Sequence, residues 1–319
     1  MTTLWGCVKE EKMDSFRCSL INTKFPITYE PDSPKGVLVE NLPENIPEKV
    51  SAICVYNNPR GEPKLDPFVY GLKLKEKCGK DIIVNIRVQD YSIPLFQSVL
   101  WGGHVLGIRN LLMVTGDCCS RSPFLIDVTE GITAVTEYLN NGYIMPGLSG
   151  KTKIHHNRYK ENTSLTDNQQ QMFEKFEGKT DFFVGAALLP ARRKEPEIYQ
   201  KKIDAGAQFF MTQLTYDSKN IIDFMEKVNP AKPVLVGSGP ITSLKRISFF
   251  REQLKIVGLS DKLIKTLKAA KDIGEKSVEV CVSMYQELRD FARESNYSLG
   301  AHVMSIRHPD LALEIIRRL

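Results

Sequence analysis

The 319-residue sequence has no apolar run approaching the roughly 18 residues that would cross a bilayer, so a membrane-spanning helix is not expected. It shows no basic stretch followed by an apolar segment near Met1, the pattern that would mark export. Its seven cysteines are odd in number and lack CxxC spacing, which argues against a disulfide framework or a zinc ribbon and suits a reducing cytoplasm. Also missing is an arginine-rich arm or a basic stripe interleaved with aromatics. The net charge of +5 is spread through mixed runs such as Lys73 to Lys80, so nucleic acid is not the expected partner. No internal repeat or low-complexity tail is found. The turn after the first apolar run lacks a glycine-rich fingerprint, which weighs against an open doubly wound dinucleotide-binding sheet.

What is there is a rhythm. Eight short apolar, β-branched or aromatic runs recur at 25–30, 50–56, 81–88, 110–117, 181–190, 207–217, 233–241 and 299–306. Between them lie stretches with helical periodicity at 65–78, 93–106, 128–140, 195–205, 219–228, 243–254 and 261–295. Gly107, Gly206 and Gly258 sit where helices end, as left-handed C-caps. Eight βα units predict an α/β fold, a (β/α)8 or TIM barrel forming one domain over 1–319. The polar segment 142–179 breaks the rhythm between the fourth helix and fifth strand. It is read as an insertion or lid, with a short surface helix at 167–176.

In such a barrel the C-terminal strand ends line the site. Glu30 closes the apolar run Phe25-Pro26-Ile27-Thr28-Tyr29 and precedes a proline loop, which places a partly desolvated carboxylate at the mouth, suited to proton donation. The alternative is a turn-capping glutamate. Asp117 follows Thr115-Gly116, where the glycine permits close backbone approach; a helix-capping aspartate is the alternative there. Cys118-Cys119 have no neighbouring histidine, and His155-His156 fall in the polar insertion, so no metal site is expected. Gly237-Ser238-Gly239-Pro240 lies in the barrel's phosphate region, but Thr242 breaks the fuller glycine pattern. The pairs Phe182-Phe183, Phe209-Phe210 and Phe249-Phe250 are expected to pack the core.

Two long segments carry a family likeness. Tyr29-Glu30-Pro31-Asp32-Ser33-Pro34-Lys35-Gly36 and Leu106-Gly107-Ile108-Arg109-Asn110-Leu111-Leu112-Met113-Val114-Thr115-Gly116-Asp117 resemble the methylenetetrahydrofolate reductases, nearest their short bacterial and acetogen-like forms. Asp181 to Ala187, Lys201 to Gln213, Tyr216-Asp217 and Gly300-Ala301-His302-Val303-Met304 follow in the family's order. The resemblance implies a barrel that holds FAD and reduces methylenetetrahydrofolate to its methyl form in one-carbon metabolism and methionine biosynthesis, with NADH, NADPH or another carrier as donor. It implies Glu30 as general acid, Asp117 as the acid beside flavin and pterin, and Gln213 as an amide on pterin or nicotinamide, with Tyr216 near substrate. It places Thr115, Gly116 and Lys202 on FAD, with Asn57 and Arg87 beside the flavin.

The chain departs from the family's pattern at two strand ends. Tyr56-Asn57-Asn58-Pro59 replaces a threonine turn, and Arg87-Val88 replaces a Thr-Cys pair. The loop Leu189 to Pro196 is short and basic, and Arg192, Arg193 and Lys194 there suit a pyrophosphate or plain solvent equally. Two further readings follow. One is a flavin-free methyl-pterin methyltransferase passing its methyl to a corrinoid protein or a thiol. The other is a non-catalytic subunit that binds folate or a partner reductase; an electron-donor protein is a further expected partner. A homo-oligomer fits all three.

Overall fold

The computed structural model describes residues 15–39, 42–116, 122–123, 126–145 and 174–319. Eight parallel strands close on themselves in sequence order: β1 (Ile27–Glu30), β2 (Val50–Val55), β3 (Asp81–Arg87), β4 (Asn110–Val114), β5 (Phe183–Leu188), β6 (Phe209–Leu214), β7 (Val234–Ser238) and β8 (Leu299–Met304). The expected (β/α)8 barrel is therefore the fold, each strand falling inside the apolar run that predicted it. The strands are parallel because helices carry the chain back across the outside.

Those helices start and stop where the sequence provides caps. Helix α2 (Pro67–Cys78) begins with Asp66 accepting from the Phe68 and Val69 amides, and ends at Gly79 with φ of 62°. Helix α3 (Ile93–Val105) is capped by Ser92, which accepts from the Leu95 amide. Gly107, Gly206 and Gly258 all take the positive φ expected of them. At Gly206 a Cβ would also lie 2.7 Å from Thr136 Oγ1, so both conformation and space call for glycine. The outer layer continues with α4 (Val128–Thr133), α5 (Glu195–Asp204), α6 (Ser218–Val228) and α7 (Leu244–Ser248). Both α4 and α7 run on into a single wider, π-type turn, Ala134–Tyr138 and Phe249–Gln253.

Three features differ from the sequence expectation. The stretch 261–295 is two helices, α8 (Asp261–Ala269) and α9 (Ile273–Ser295), because Asp272 caps a fresh start by accepting from the Glu275 amide. A final helix, α10 (Pro309–Arg318), follows β8, and an opening helix, α1 (Ser15–Asn22), precedes β1. Most of 142–179 lies outside the described residues. Of the surface helix expected at 167–176, the described part is extended: Lys175 bridges antiparallel to Tyr143, with Ile144 N–H donating to Glu174 O at 2.8 Å.

Strand alternation sorts the side chains into two cores. Outward residues such as Ile53, Val84, Leu111, Phe210 and Val236 pack under the helices. Inward residues Ala52, Cys54, Ile83, Leu112, Phe209, Met211 and Leu235 fill the barrel, and α1 plugs it from the N-terminal end with Phe16 and Leu20. Phe16 is fully buried, edge-on to Phe209 at 5.3 Å, and its amide donates to Asp81 Oδ2 at 2.7 Å. With the floor sealed, the open end of the barrel is the one at the strand C-termini.

Candidate active site

A cavity of about 1150 Å³ opens at that end. Its floor is the last inward layer of the strands: Glu30, Asn85, Leu112, Ala187, Met211 and His302, with Arg87, Val114, Gln213 and Met304 one step higher. Eight lysines and arginines line it against three carboxylates, so the ligand it favours carries negative charge.

Glu30 stands where the sequence expected it, at the end of β1, with its side chain 13% exposed. Its Oε2 is 3.5 Å from Nε2 of the buried His302 on the neighbouring β8. The other ring nitrogen, Nδ1, is 3.0 Å from Thr28 Oγ1. On the other side Cys54 of β2 donates its S–H to Asn85 Oδ1 at 3.1 Å, and burial first, then the nearby Glu30 charge, pushes this thiol well above its ordinary range. Glu30 is thus a polar group set into a nearly dry floor.

A second acid, Asp32, lines the same wall two residues later. Burial, and then the charge on Glu30, raises its pKa, against the pull of the Arg307 amide that donates to Oδ2 at 2.7 Å. Both Ile306 and Arg307 hold left-handed φ values, 49° and 64°. For β-branched Ile306 that is a strained conformation, and it turns both residues into the cavity wall.

The residues expected to hold a cofactor also line the cavity, but are braced. Arg87 is buried: its Nε lies 2.9 Å from Asp90 Oδ2, and its guanidinium donates to the Asn58 carbonyl. Gly116 packs directly against it, since a Cβ there would sit 2.7 Å from Arg87 Nε, and its φ is 91°. Asn57 donates to the Tyr91 hydroxyl at 2.9 Å. Lys202 donates to Ala187 O at 2.5 Å and lies 3.7 Å from Glu195, a fully buried carboxylate that also pairs with Arg192 and accepts from the Leu189 amide at 3.1 Å. Thr115 and Gln213 face the cavity, and Gln213 is exposed to it.

Tyr216 does not join this wall. Its ring is buried and its hydroxyl donates to Gly239 O at 2.7 Å, because Tyr216 lies beyond β6 where the chain turns toward α6. The expected substrate contact is therefore absent from the cavity lining. Asp117, Cys118, Cys119, His155 and His156 lie outside the described residues. Phe249 and Phe250, expected only as core, also line the cavity, where Arg60 and Arg246 stack over them at 5.3 and 5.8 Å.

Residues 190–319 match the methylenetetrahydrofolate reductase family. A stretch of 126 residues is 27% identical to methylenetetrahydrofolate reductase 2 of Saccharomyces cerevisiae, covering 39% of this chain and 21% of the yeast protein. The similarity to the methylenetetrahydrofolate reductases lies in the C-terminal part of the chain. The chain's match spans about a fifth of that curated relative's length. Among solved structures, an uncharacterized Clostridium thermocellum protein that binds two copies of 5-methyl-5,6,7,8-tetrahydrofolic acid superposes with a TM-score of 0.64 at 16% identity, over 94% of this chain and 97% of that one. At that identity the likeness is one of fold.

The stretch that matches the reductase family carries Lys202, Gln213, Tyr216 and His302, while Glu30 and Asp117 precede it. Sequence reading missed Asp32, Cys54 and the role of His302. The signal for His302 was its place on β8 two residues from Gly300 and Met304, which puts it on the inward face. Cys54 had the same alternation with Ala52, but only the β1–β2 register, which pairs Tyr29 with Ile53, sets it beside Glu30.

Proposed function

We propose that this protein is a flavin-dependent reductase of methylenetetrahydrofolate or a related methylene-pterin. The observation that carries the reading is Glu30, a carboxyl group on the cavity floor with few competing partners, held beside His302. Opening the methylene bridge of such a substrate needs a proton at the ring-closing nitrogen. A carboxyl group in a desolvated floor is placed to give it, a contribution of about 10²–10⁴ in rate. Gln213 presents both a donor and an acceptor to the cavity, as recognition of a pterin edge requires. The excess of cations suits the carboxylates of a folate tail. The methyltetrahydrofolate-binding protein with the same fold supports the substrate class.

The lining also fits a dinucleotide in charge and size. The cavity exceeds the roughly 300–1,000 Å³ typical of one small ligand. Thr115, Asn57 and Lys202 would lie along a bound flavin, with Arg192 toward a phosphate and Gly116 backed by the Arg87 guanidinium. A bound flavin supplies the hydride that no side chain carries. NADH or NADPH would reload it.

A flavin-free methyl-pterin methyltransferase is favoured by one observation: Arg87, tied to Asp90 and Asn58, occupies the space under Gly116 where the family resemblance leads one to expect smaller residues. Reconstitution separates the two readings. A protein that takes up FAD, bleaches on NADH or NADPH and then forms methyltetrahydrofolate is the reductase. One that takes up no FAD yet passes the methyl of methyltetrahydrofolate to a corrinoid or thiol acceptor is the transferase.

A further inference from the structure

Three consecutive strands of the closed sheet, β8, β1 and β2, each send a side chain with metal-binding chemistry to one point on the cavity floor. They are His302, Glu30 and Cys54, and one ligand atom from each lies within 4.8 Å of the others. Among the described residues, no other three histidine, cysteine or acidic side chains are so grouped.

The hydrogen bonds around His302 fix which nitrogen faces the group. Thr28 Oγ1 lies 3.3 Å from the Ala301 carbonyl and 3.0 Å from His302 Nδ1. Its one proton goes to the carbonyl, which can only accept, so Oγ1 accepts from Nδ1–H. In the neutral imidazole Nε2 is then a lone pair, and it points at the Glu30 carboxylate.

Two lone pairs facing each other at 3.5 Å call for positive charge between them, a proton or a metal ion. That distance exceeds the usual 2.7–3.2 Å or so of an N–H···O bond. It is close to the ~3.3 Å between nitrogen and oxygen on a tetrahedral ion with bonds of about 2.0–2.1 Å. Cys54 adds a soft sulfur, which selects zinc-like ions over magnesium or calcium. Thr28 stands as the outer partner that orients a ligating histidine. Glu30 and His302 border the cavity, so a fourth coordination position would face it, the arrangement of three protein ligands with one open place.

We propose that Glu30, Cys54 and His302 form a binding site for a soft divalent cation of the zinc class, open on its fourth side to the cavity. The site stands independently of the reductase reading. It shares Glu30 with it, so a bound ion and a transferable Glu30 proton exclude one another and zinc opposes proton donation.

The test uses the full chain and metal alone, without folate or flavin. Cobalt(II), titrated into wild type, should bind once per chain with a thiolate-to-cobalt charge-transfer band in the near ultraviolet, and zinc should displace it. Loss of an outer partner alone costs a metal site 10–100-fold or so, so Glu30→Gln and His302→Gln should each weaken cobalt by at least about tenfold. Cys54→Ser should remove the band, whereas Cys281→Ser, whose thiol bonds to Ser238 and Gly239 outside this cluster, should keep it. The absence of a band in wild type overturns the proposal. So does a band that persists in Cys54→Ser, or an affinity unchanged in folded Glu30→Gln. None of these outcomes depends on turnover, so the reductase reading stands or falls separately.

Discussion

Asp32 shows how the cavity strains its own charges. Its carboxyl holds a proton more tightly in the folded chain than in the unfolded one, because burial and Glu30 disfavour the anion. The folded state therefore binds more protons in the window just above the ordinary value of 3.8, and stability falls as pH rises through it. Asp32→Asn removes that liability while keeping an acceptor for the Arg307 amide. Its thermal midpoint should equal or exceed that of wild type at neutral pH, with the advantage shrinking as pH falls toward 3.8; a midpoint lowered at neutral pH and recovered in acid would contradict the sign. Gly116→Ala tests the opposite kind of strain. A Cβ would press on a guanidinium that Asp90 holds in place, at a φ that L-residues avoid, so a loss of about 1–3 kcal/mol is expected in urea unfolding. Glu30 was legible at this scale because it ends an apolar run. Asp32 was not, because its environment is made by Arg307 from the far end of the chain.

The elements were the most legible level, since strand runs and helical stripes are local patterns that the barrel merely assembles. The exceptions have local causes. Helix α1 is short and mixed in polarity, and only Phe16 and Leu20 reach the barrel floor, so periodicity alone gave no warning of it. The break between α8 and α9 rests on a single capping aspartate. Since α1 is the plug, Phe16→Ala should open a cavity against Phe209 and Phe183 and cost about 3–5 kcal/mol in denaturant unfolding. Helix α5 carries a different risk. Glu195 is fully buried at its start and neutralises both Arg192 and Lys202, whose own pKa burial lowers. Glu195→Ala strands a buried ammonium and should cost about 3–5 kcal/mol, whereas the double variant with Lys202→Met should recover part of that loss.

At the scale of the whole molecule, the closed sheet brings together groups that the sequence keeps far apart. His302 meets Glu30 only because β8 pairs with β1, and the basic rim is assembled from loops at both ends of the chain. No helix among the described residues is long and apolar enough to cross a membrane. The seal at the N-terminal end directs chemistry to one mouth, whose floor holds a carboxyl group and whose walls attract anions. The most direct test of this account is single-turnover conversion of methylenetetrahydrofolate by the FAD-reconstituted, reduced protein, compared between wild type and Glu30→Gln at saturating folate. The account predicts methyltetrahydrofolate from wild type and a rate at least about 100-fold lower in Glu30→Gln with folate still bound. Equal rates in the two proteins would contradict it.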